Sequence, residues 1–214
     1  MQYYSYITGD PEILEIYKRV VELENEDREA THHSIDHVKK ASEMAGQLLS
    51  GVGADETLVE EGKIAGYLHD VGRIKGKKQH AESSYEMVKK YFNDRNIHPA
   101  HEEMLLEAIR SHTDGFEVKT PLAVTLILAD KLNITEQRLA ERGYFEPGTR
   151  QMEHIKDTEI EFDGDTMHIY FICDEGLDRE ELERDFAFLA KVYRAIESFA
   201  DFFGLKYTVE YKVP

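Results

Sequence analysis

Four stretches of this chain place imidazole and carboxylate groups on faces that helical periodicity would bury. His37 lies four residues before Ala41 and seven before Met44, on the apolar side of a predicted helix. His69 follows Ala65 by four and ends the next helix, with Asp70 beside it and Gly72 as the stop. His112 follows Ala108 by four and Leu105 by seven. Asp130 follows Leu126 by four and Ile127 by three, inside the most hydrophobic helix of the chain. Residues three, four and seven apart share a helix face, so all of these polar groups aim at the core. Burying any of them without a partner would cost several kcal/mol. A buried carboxylate must find a cation. Inward imidazoles with two inward carboxylates on separate helices have the composition of a divalent-metal site. Cations held there would activate water and polarise an oxygen of an anionic substrate such as a phosphate, with no serine or cysteine nucleophile needed. An anionic substrate needs further partners. Arg73, Lys75, Lys77 and Lys78 put four basic residues within six positions, so Arg73 and one of these lysines are candidate phosphate binders. Lys131, directly after Asp130, is another.

The elements that must carry these groups are mostly helices. Asp10-Pro11 reads as a cap followed by a proline at the first helical position, opening a helix marked by Ile13, Ile16, Tyr17, Val20 and Val21. Further helices are predicted from Ile35 to the Gly51-Val52-Gly53 stop, from Thr57 to Leu68, from about His80, around Met104 to Ile109, and over Leu122 to Leu139. The last is apolar enough to be buried nearly all round. From Thr158 to Ile172 the hydrophobic period drops to 2, with Asp163-Gly164 as a hairpin turn. Asp178 and Glu181 form a capping box for a helix running to Gly204. A final strand alternates Leu205, Tyr207, Val209 and Tyr211 with polar residues. The expected architecture is mainly α: a helical metal-binding domain over 1–142, a connector over 143–157, and a small β-β-α-β appendage over 158–214 that packs, dimerises or rims a pocket.

These residues carry a resemblance. A His on one helix, a His-Asp pair ending the next and a late Asp in Leu128-Ala129-Asp130-Lys131 resemble the HD-domain superfamily of metal-dependent phosphohydrolases. The run Ala65 to Arg73 resembles its hallmark helix end, and Ile109-Arg110-Ser111-His112-Thr113 its second-metal histidine. Within the superfamily the chain is most similar to small bacterial enzymes that hydrolyse symmetrical diadenosine tetraphosphate, whose extra His after the His-Asp pair is matched by His80-Ala81-Glu82. The resemblance spans about Ser34 to Arg138 and implies an HD-type helical bundle. It implies that His37, His69, Asp70 and Asp130 are the metal quartet, that His80 and His112 complete a second site, and that Asp70 bridges the two ions. Two divalent metals per chain are therefore expected, with His69, Asp70 and Arg73 at the centre of catalysis. The nine residues 71–79 make a loop that looks shorter than in those enzymes, and this loop should border the pocket.

Composition narrows the function classes. The 26 basic and 43 acidic residues give a net charge of −17, which disfavours a nucleic-acid polymer as partner because such binding relies on basic groups displacing counterions. A small phosphorylated substrate, foremost a nucleotide, stays compatible because a metal supplies local positive charge. The single cysteine, Cys173, excludes an internal disulfide and a cysteine-rich zinc site. The most apolar run, Leu122 to Ala129, is far short of the roughly 20 residues that span a bilayer, and residues 1–10 show no export signal. A cytoplasmic protein is expected, with a homodimer as a further expectation. Of the remaining histidines, His32 and His33 read as surface residues before a helix. His98 and His101 read as exposed, or as substitutes for His80. The alternative to an enzyme is a catalytically silent regulatory module whose quartet holds a metal and docks a nucleotide effector.

Overall fold

The computed structural model of the protein describes residues 3–213. It is mainly helical, with a small three-stranded sheet in the C-terminal third. A short helix α1 (Tyr3–Thr8) precedes α2 (Pro11–Glu26), α3 (Ile35–Gly51), α4 (Glu56–Leu68), α5 (His80–Arg95), α6 (Glu102–Ser111) and α7 (Pro121–Leu132). Side-chain caps fix several starts: Asp10 accepts from Glu12 N at 2.9 Å, Asp55 from Leu58 N at 2.9 Å and Thr120 from Ala123 N at 3.2 Å. No described helix is long and apolar enough to cross a membrane.

The C-terminal third holds β1 (Ile155–Asp163), β2 (Thr166–Cys173), α8 (Arg179–Asp185), α9 (Leu189–Phe203) and β3 (Lys206–Lys212). Gly164, at φ 58°, turns the β1–β2 hairpin. β2 is central: Ile169 sits opposite Ile160 across an antiparallel ladder and opposite Val209 across a parallel one. A parallel neighbour requires a crossover, and α8 with α9 supplies it.

Three boundaries differ from the sequence expectations. The helix expected over 122–139 stops at Leu132, because Asn133 leaves helical geometry (φ −82°, ψ 74°) and turns its amide to His37. The helix expected from Asp178 to Gly204 is broken over 186–188, so the order is β-β-α-α-β rather than β-β-α-β. The first strand starts at Ile155, 3-10 turns cover Val71–Lys75, Glu141–Phe145 and Thr149–His154 where loops were expected, and another covers Glu136–Arg138 where the helix was expected to continue.

The core explains why α7 is apolar on every side. Leu122, Ala123 and Leu126 join a cluster with Ile7, Tyr17, Tyr67, Phe92 and Leu105. Ile127, Leu128 and Leu132 join a second cluster with Met44 and Leu48 of α3, Ile169 and Phe171 of β2, and Ile196 and Phe199 of α9. One helix therefore lies between two packed layers, and the sheet packs directly on the bundle.

Candidate metal centre

Five elements converge at one end of α7. His37 is in the first turn of α3, whose cap Ser34 accepts from the His37 backbone N–H at 3.3 Å. His69 is the C-cap of α4 and Asp70 follows it. α3 and α4 meet closely because residue 66 is glycine: a Cβ there would lie 2.7 Å from Ser42 Cα. Gly72 serves the next turn, where a Cβ would come within 2.3 Å of Ser84 N in α5. Gln79, at φ 58°, redirects the chain so that His80 opens α5. His112 is the C-cap of α6, and Asp130 lies in the last turn of α7.

The side chains meet around Asp70. Its Oδ2 lies 3.1 Å from His69 Nε2 and 3.5 Å from His37 Nε2. Its Oδ1 lies 3.3 Å from His80 Nε2 and 3.5 Å from His112 Nε2. Asp130 Oδ1 approaches the first pair, at 3.3 Å from His37 Nε2 and 3.7 Å from His69 Nε2. Each of the triplets His37/His69/Asp70, His69/His112/Asp130 and Asp70/His80/His112 presents ligand atoms within 4.8 Å of one another and could hold a metal ion. Apart from the half-buried His80, these residues are buried.

The far nitrogens show which atoms are available as ligands. Nδ1 of His69 donates to Gly66 O at 2.8 Å, Nδ1 of His80 to Lys77 O at 2.9 Å and Nδ1 of His112 to Ile109 O at 2.7 Å. A carbonyl only accepts, so each Nδ1 carries the proton and each neutral ring offers a lone pair at Nε2. The Asn133 amide is 2.9 Å from His37 Nδ1. It is the amide nitrogen Nδ2 that faces and donates to Nδ1, which places the proton of a neutral His37 on Nε2. A lone pair at His37 Nε2 requires the amide turned over, with its oxygen toward the ring. His80 Nε2 and His112 Nε2 then face each other at 3.1 Å as two acceptors, an arrangement that needs a cation or a shared proton between them. His37 Nε2, His69 Nε2 and both Asp70 oxygens are buried with no hydrogen-bond partner. Orphaned acceptors of this kind, nitrogen and oxygen together, fit a divalent metal.

The electrostatics point the same way. Burial works against ionising Asp70, but the neighbouring His69 and His33 hold its carboxyl well below the usual carboxylate range. Burial opposes Asp130 in the same manner, and Lys131 with His37 and His69 holds it well below that range too. Burial also disfavours a charged His69, yet Asp70 and Asp130 outweigh it and push the ring up to about 10. His37 and His80 are instead lowered, by burial first. Two committed carboxylates and one captured proton occupy a space that a cation would otherwise fill.

A cavity of about 430 Å³ opens onto this cluster. Five cationic side chains line it, Arg73, Lys77, Lys131, Arg138 and Lys191, against four carboxylates, Glu29, Asp70, Asp114 and Asp130. In a chain with 43 acidic and 26 basic residues, that is a local reversal of charge balance. The basic run expected to bind phosphate divides. Arg73 and Lys77 reach the cavity, whereas Lys75 and Lys78 are exposed and outside its lining. The 3-10 turn over Val71–Lys75 has about three residues per turn, so Arg73 and Lys75 cannot share a face. Arg73 is itself engaged, Nε with Glu24 Oε1 at 2.8 Å and Nη2 with Glu29 Oε2 at 2.9 Å. Lys131 donates to Asp130 Oδ2 at 2.7 Å and to His112 O at 3.2 Å.

Several cavity residues were not anticipated, His33 and Arg138 among them. His33 was expected at the surface, yet it lines the cavity with Nδ1 2.6 Å from Glu24 Oε1. It lies outside α3, so helical periodicity could not place it, although its spacing of four from His37 was a signal. Arg138 is buried with Nη1 3.9 Å from Asp130 Oδ1. It falls within the helix expected over 122–139, but that helix ends at Leu132, six residues before it. His98 and His101 lie away from the cluster: His98 is exposed and His101 pairs with Glu61 at 2.7 Å.

No curated protein matches the chain. Residues 31–134 match the family model described as the HD domain, a span that contains His33 and all six clustered residues but ends before Arg138 and the C-terminal wall of the cavity. HD domains are typically metal-dependent hydrolases. Residues 31–134, just under half of the chain, are thus similar to an HD domain.

Proposed function

We propose that the protein is a metal-dependent phosphohydrolase acting on a nucleotide or another small phosphorylated metabolite. The observation that carries this reading is Asp70, whose two buried, unpartnered oxygens each face a separate pair of histidine Nε2 atoms. His37, His69, Asp70 and Asp130 would hold one ion, and Asp70, His80 and His112 a second, with Asp70 common to both. A divalent cation bound there supplies Lewis acidity toward a phosphoryl oxygen and toward water. The protein's own part is to fix the rings through the Gly66, Lys77 and Ile109 carbonyls and Asn133, and to bring Lys131, Arg138 and Arg73 to the cavity as partners for phosphate oxygens. Glu24 holds both Arg73 and His33 in place.

The cavity, at about 430 Å³, is in the lower part of the range of small-molecule sites, roughly 300–1,000 Å³. A dinucleoside tetraphosphate of the diadenosine type would fill it with one half and extend outside, so it belongs in the test beside mononucleotides. The experiment is phosphate release from mono-, di- and dinucleoside polyphosphates with Mn²⁺, Fe²⁺, Co²⁺ or Mg²⁺, together with elemental analysis. Turnover with at least one metal is expected, with two metals per chain falling to one in His80→Ala. No turnover, with one metal insensitive to His80→Ala, would instead identify a silent module that binds a nucleotide effector.

A further inference from the structure

The break between α8 and α9 falls on the cavity. Phe186 and Phe188 line it beside Met152 and Ile134. The two phenyl rings stand 5.9 Å apart at 46°, and Phe188 is half-buried. Lys131 Nζ lies 5.7 Å from the Phe188 ring centre and 2.7 Å from Asp130 Oδ2, so a single lysine separates this ring from the metal centre.

The break is built in, not frayed. Gly148, at φ 74°, passes so close that a Cβ there would lie 2.2 Å from Phe186 N. Its N–H donates to Glu181 Oε1 at 2.8 Å, and Arg150 donates to both Glu181 oxygens at 2.8 and 2.6 Å. Glu181 belongs to α8, which ends at Asp185 immediately before Phe186. The connector thus clamps the short helix and holds the chain in its non-helical turn, where Phe188 starts α9. A continuous helix would have satisfied the local sequence pattern. Of the capping box expected at Asp178 and Glu181 only the Asp178 half forms, accepting from Glu181 N at 2.9 Å, because the Glu181 carboxylate is taken by Gly148 and Arg150. The interruption instead places two aromatic rings against the cavity, where Met152 of the 3-10 turn over Thr149–His154 adds a thioether.

A cation-lined end and an apolar, partly aromatic end in one cavity describe a ligand that carries an anionic group at one end and a flat apolar group at the other. Aromatic side chains serve as stacking platforms for bases, and methionine packs adaptably against flat rings. We infer that Phe186, Phe188 and Met152 form the specificity wall of the site, and that the substrate carries a nucleobase, or a flat heteroaromatic group of that class, on its phosphorylated moiety. The inference rests on the phosphohydrolase reading for what happens at the phosphate, but assigns the other half of the ligand to residues outside the span 31–134 that matches the HD domain.

The test compares nucleoside 5′-monophosphates with ribose 5-phosphate, which keeps the phosphate and sugar and lacks the base. Binding is measured by calorimetry on full-length, EDTA-treated protein, where turnover is silent, and kcat/KM is measured with added metal. Nucleotides should bind at least about fivefold more tightly than ribose 5-phosphate. Phe188→Ala should abolish that preference and leave ribose 5-phosphate binding unchanged. Phe188→Leu keeps the apolar volume, protects the fold and should lose the preference as well. Equal binding of the two ligands by the unmodified protein, or a preference that survives both substitutions, overturns the wall. Failure of the two readings separates cleanly. Base-dependent binding without phosphate release under any metal keeps the wall and removes the hydrolase. Phosphate release at equal kcat/KM from ribose 5-phosphate and nucleotides keeps the hydrolase and removes the wall.

Discussion

Each histidine of the centre has its tautomer set by a partner on the side away from Asp70, and the weakest of these anchors is the most informative. His69, His80 and His112 lean on backbone carbonyls that no substitution removes, whereas His37 leans on the side chain of Asn133. Asn133→Leu should therefore lower metal affinity by about 10–100-fold, the usual effect of losing a group that orients a ligand. Metal titration against a competing chelator reads this directly, and an unchanged affinity would show that Asn133 does not orient the ring. The proton on His69 gives a second prediction. With metal removed, its raised pKa of about 10 against an ordinary 6.5 means that it stabilises the fold fully below about 6.5, a contribution lost as pH rises toward about 10. A cation must displace that proton, so binding at pH 7.5 should release about one proton and tighten as pH rises. Calorimetry in two buffers of different ionisation enthalpy measures the release; identical heats in both would contradict it. His37, His69, His112 and Asp130 are legible in the sequence because an ionisable group spaced four residues from an apolar stripe has few other reasons to be there. His33 and Arg138 are not legible, since they reach the cavity from irregular segments where no periodicity assigns a face.

At the scale of elements, the centre depends on how closely two helices approach. Gly66 sits where α4 crosses α3, and a Cβ there would also lie 2.8 Å from Ser42 N and 2.9 Å from Ala41 C, which is backbone and cannot rotate aside. Gly66→Ala must push α4 away from α3, and with it His69 and Asp70 away from His37. Overpacking of this kind costs about 1–3 kcal/mol, so Tm should fall by at least about 2 °C, with metal affinity falling alongside. An unchanged Tm and metal content would mean that the approach is not tight. This glycine is invisible to pattern reading, which sees only a good helix with a small residue in it. The helix ends are similarly hard to place. Leu122 to Leu139 reads as one apolar stretch, but Asn133 has a better partner in His37 than in the helix, and the chain turns there. The break at 186–188 is imposed by Gly148 and Glu181 from elsewhere in the chain, so local propensity points to the wrong outcome.

For the molecule as a whole, the decisive question is whether the C-terminal third is an appendage or part of the body. Its composition and change of period separate it clearly from the helices, and a boundary over 143–157 follows from that pattern. The packing runs across this boundary. Met44, Leu48, Val124, Leu128 and Leu132 form one cluster with Ile160, Ile169, Phe171, Ile196 and Phe199. Lys40 also pairs with Asp157 at 2.6 Å, and Gln47 donates to Ile160 O at 2.7 Å. Removing 143–214 would bare the outer face of α7, the helix that carries Asp130, along with one side of α3, which carries His37. An apolar face of that extent has no other cover in the bundle, and its exposure costs on the order of 25 cal/mol for each Å² returned to water. Residues 1–142 expressed alone should therefore lose near-UV circular dichroism, bind a hydrophobic dye and hold no metal, while the full chain melts in one cooperative transition that metal shifts upward. A 1–142 fragment that melts cooperatively and retains its metal would show that the helices close their own core and that the sheet only lies upon them. In that case the apolar wall contributed by Met152, Phe186 and Phe188 could be removed without disturbing the metal centre. If instead the fragment collapses, substrate selection and metal binding share one folding unit, and changes in the wall must be made one side chain at a time.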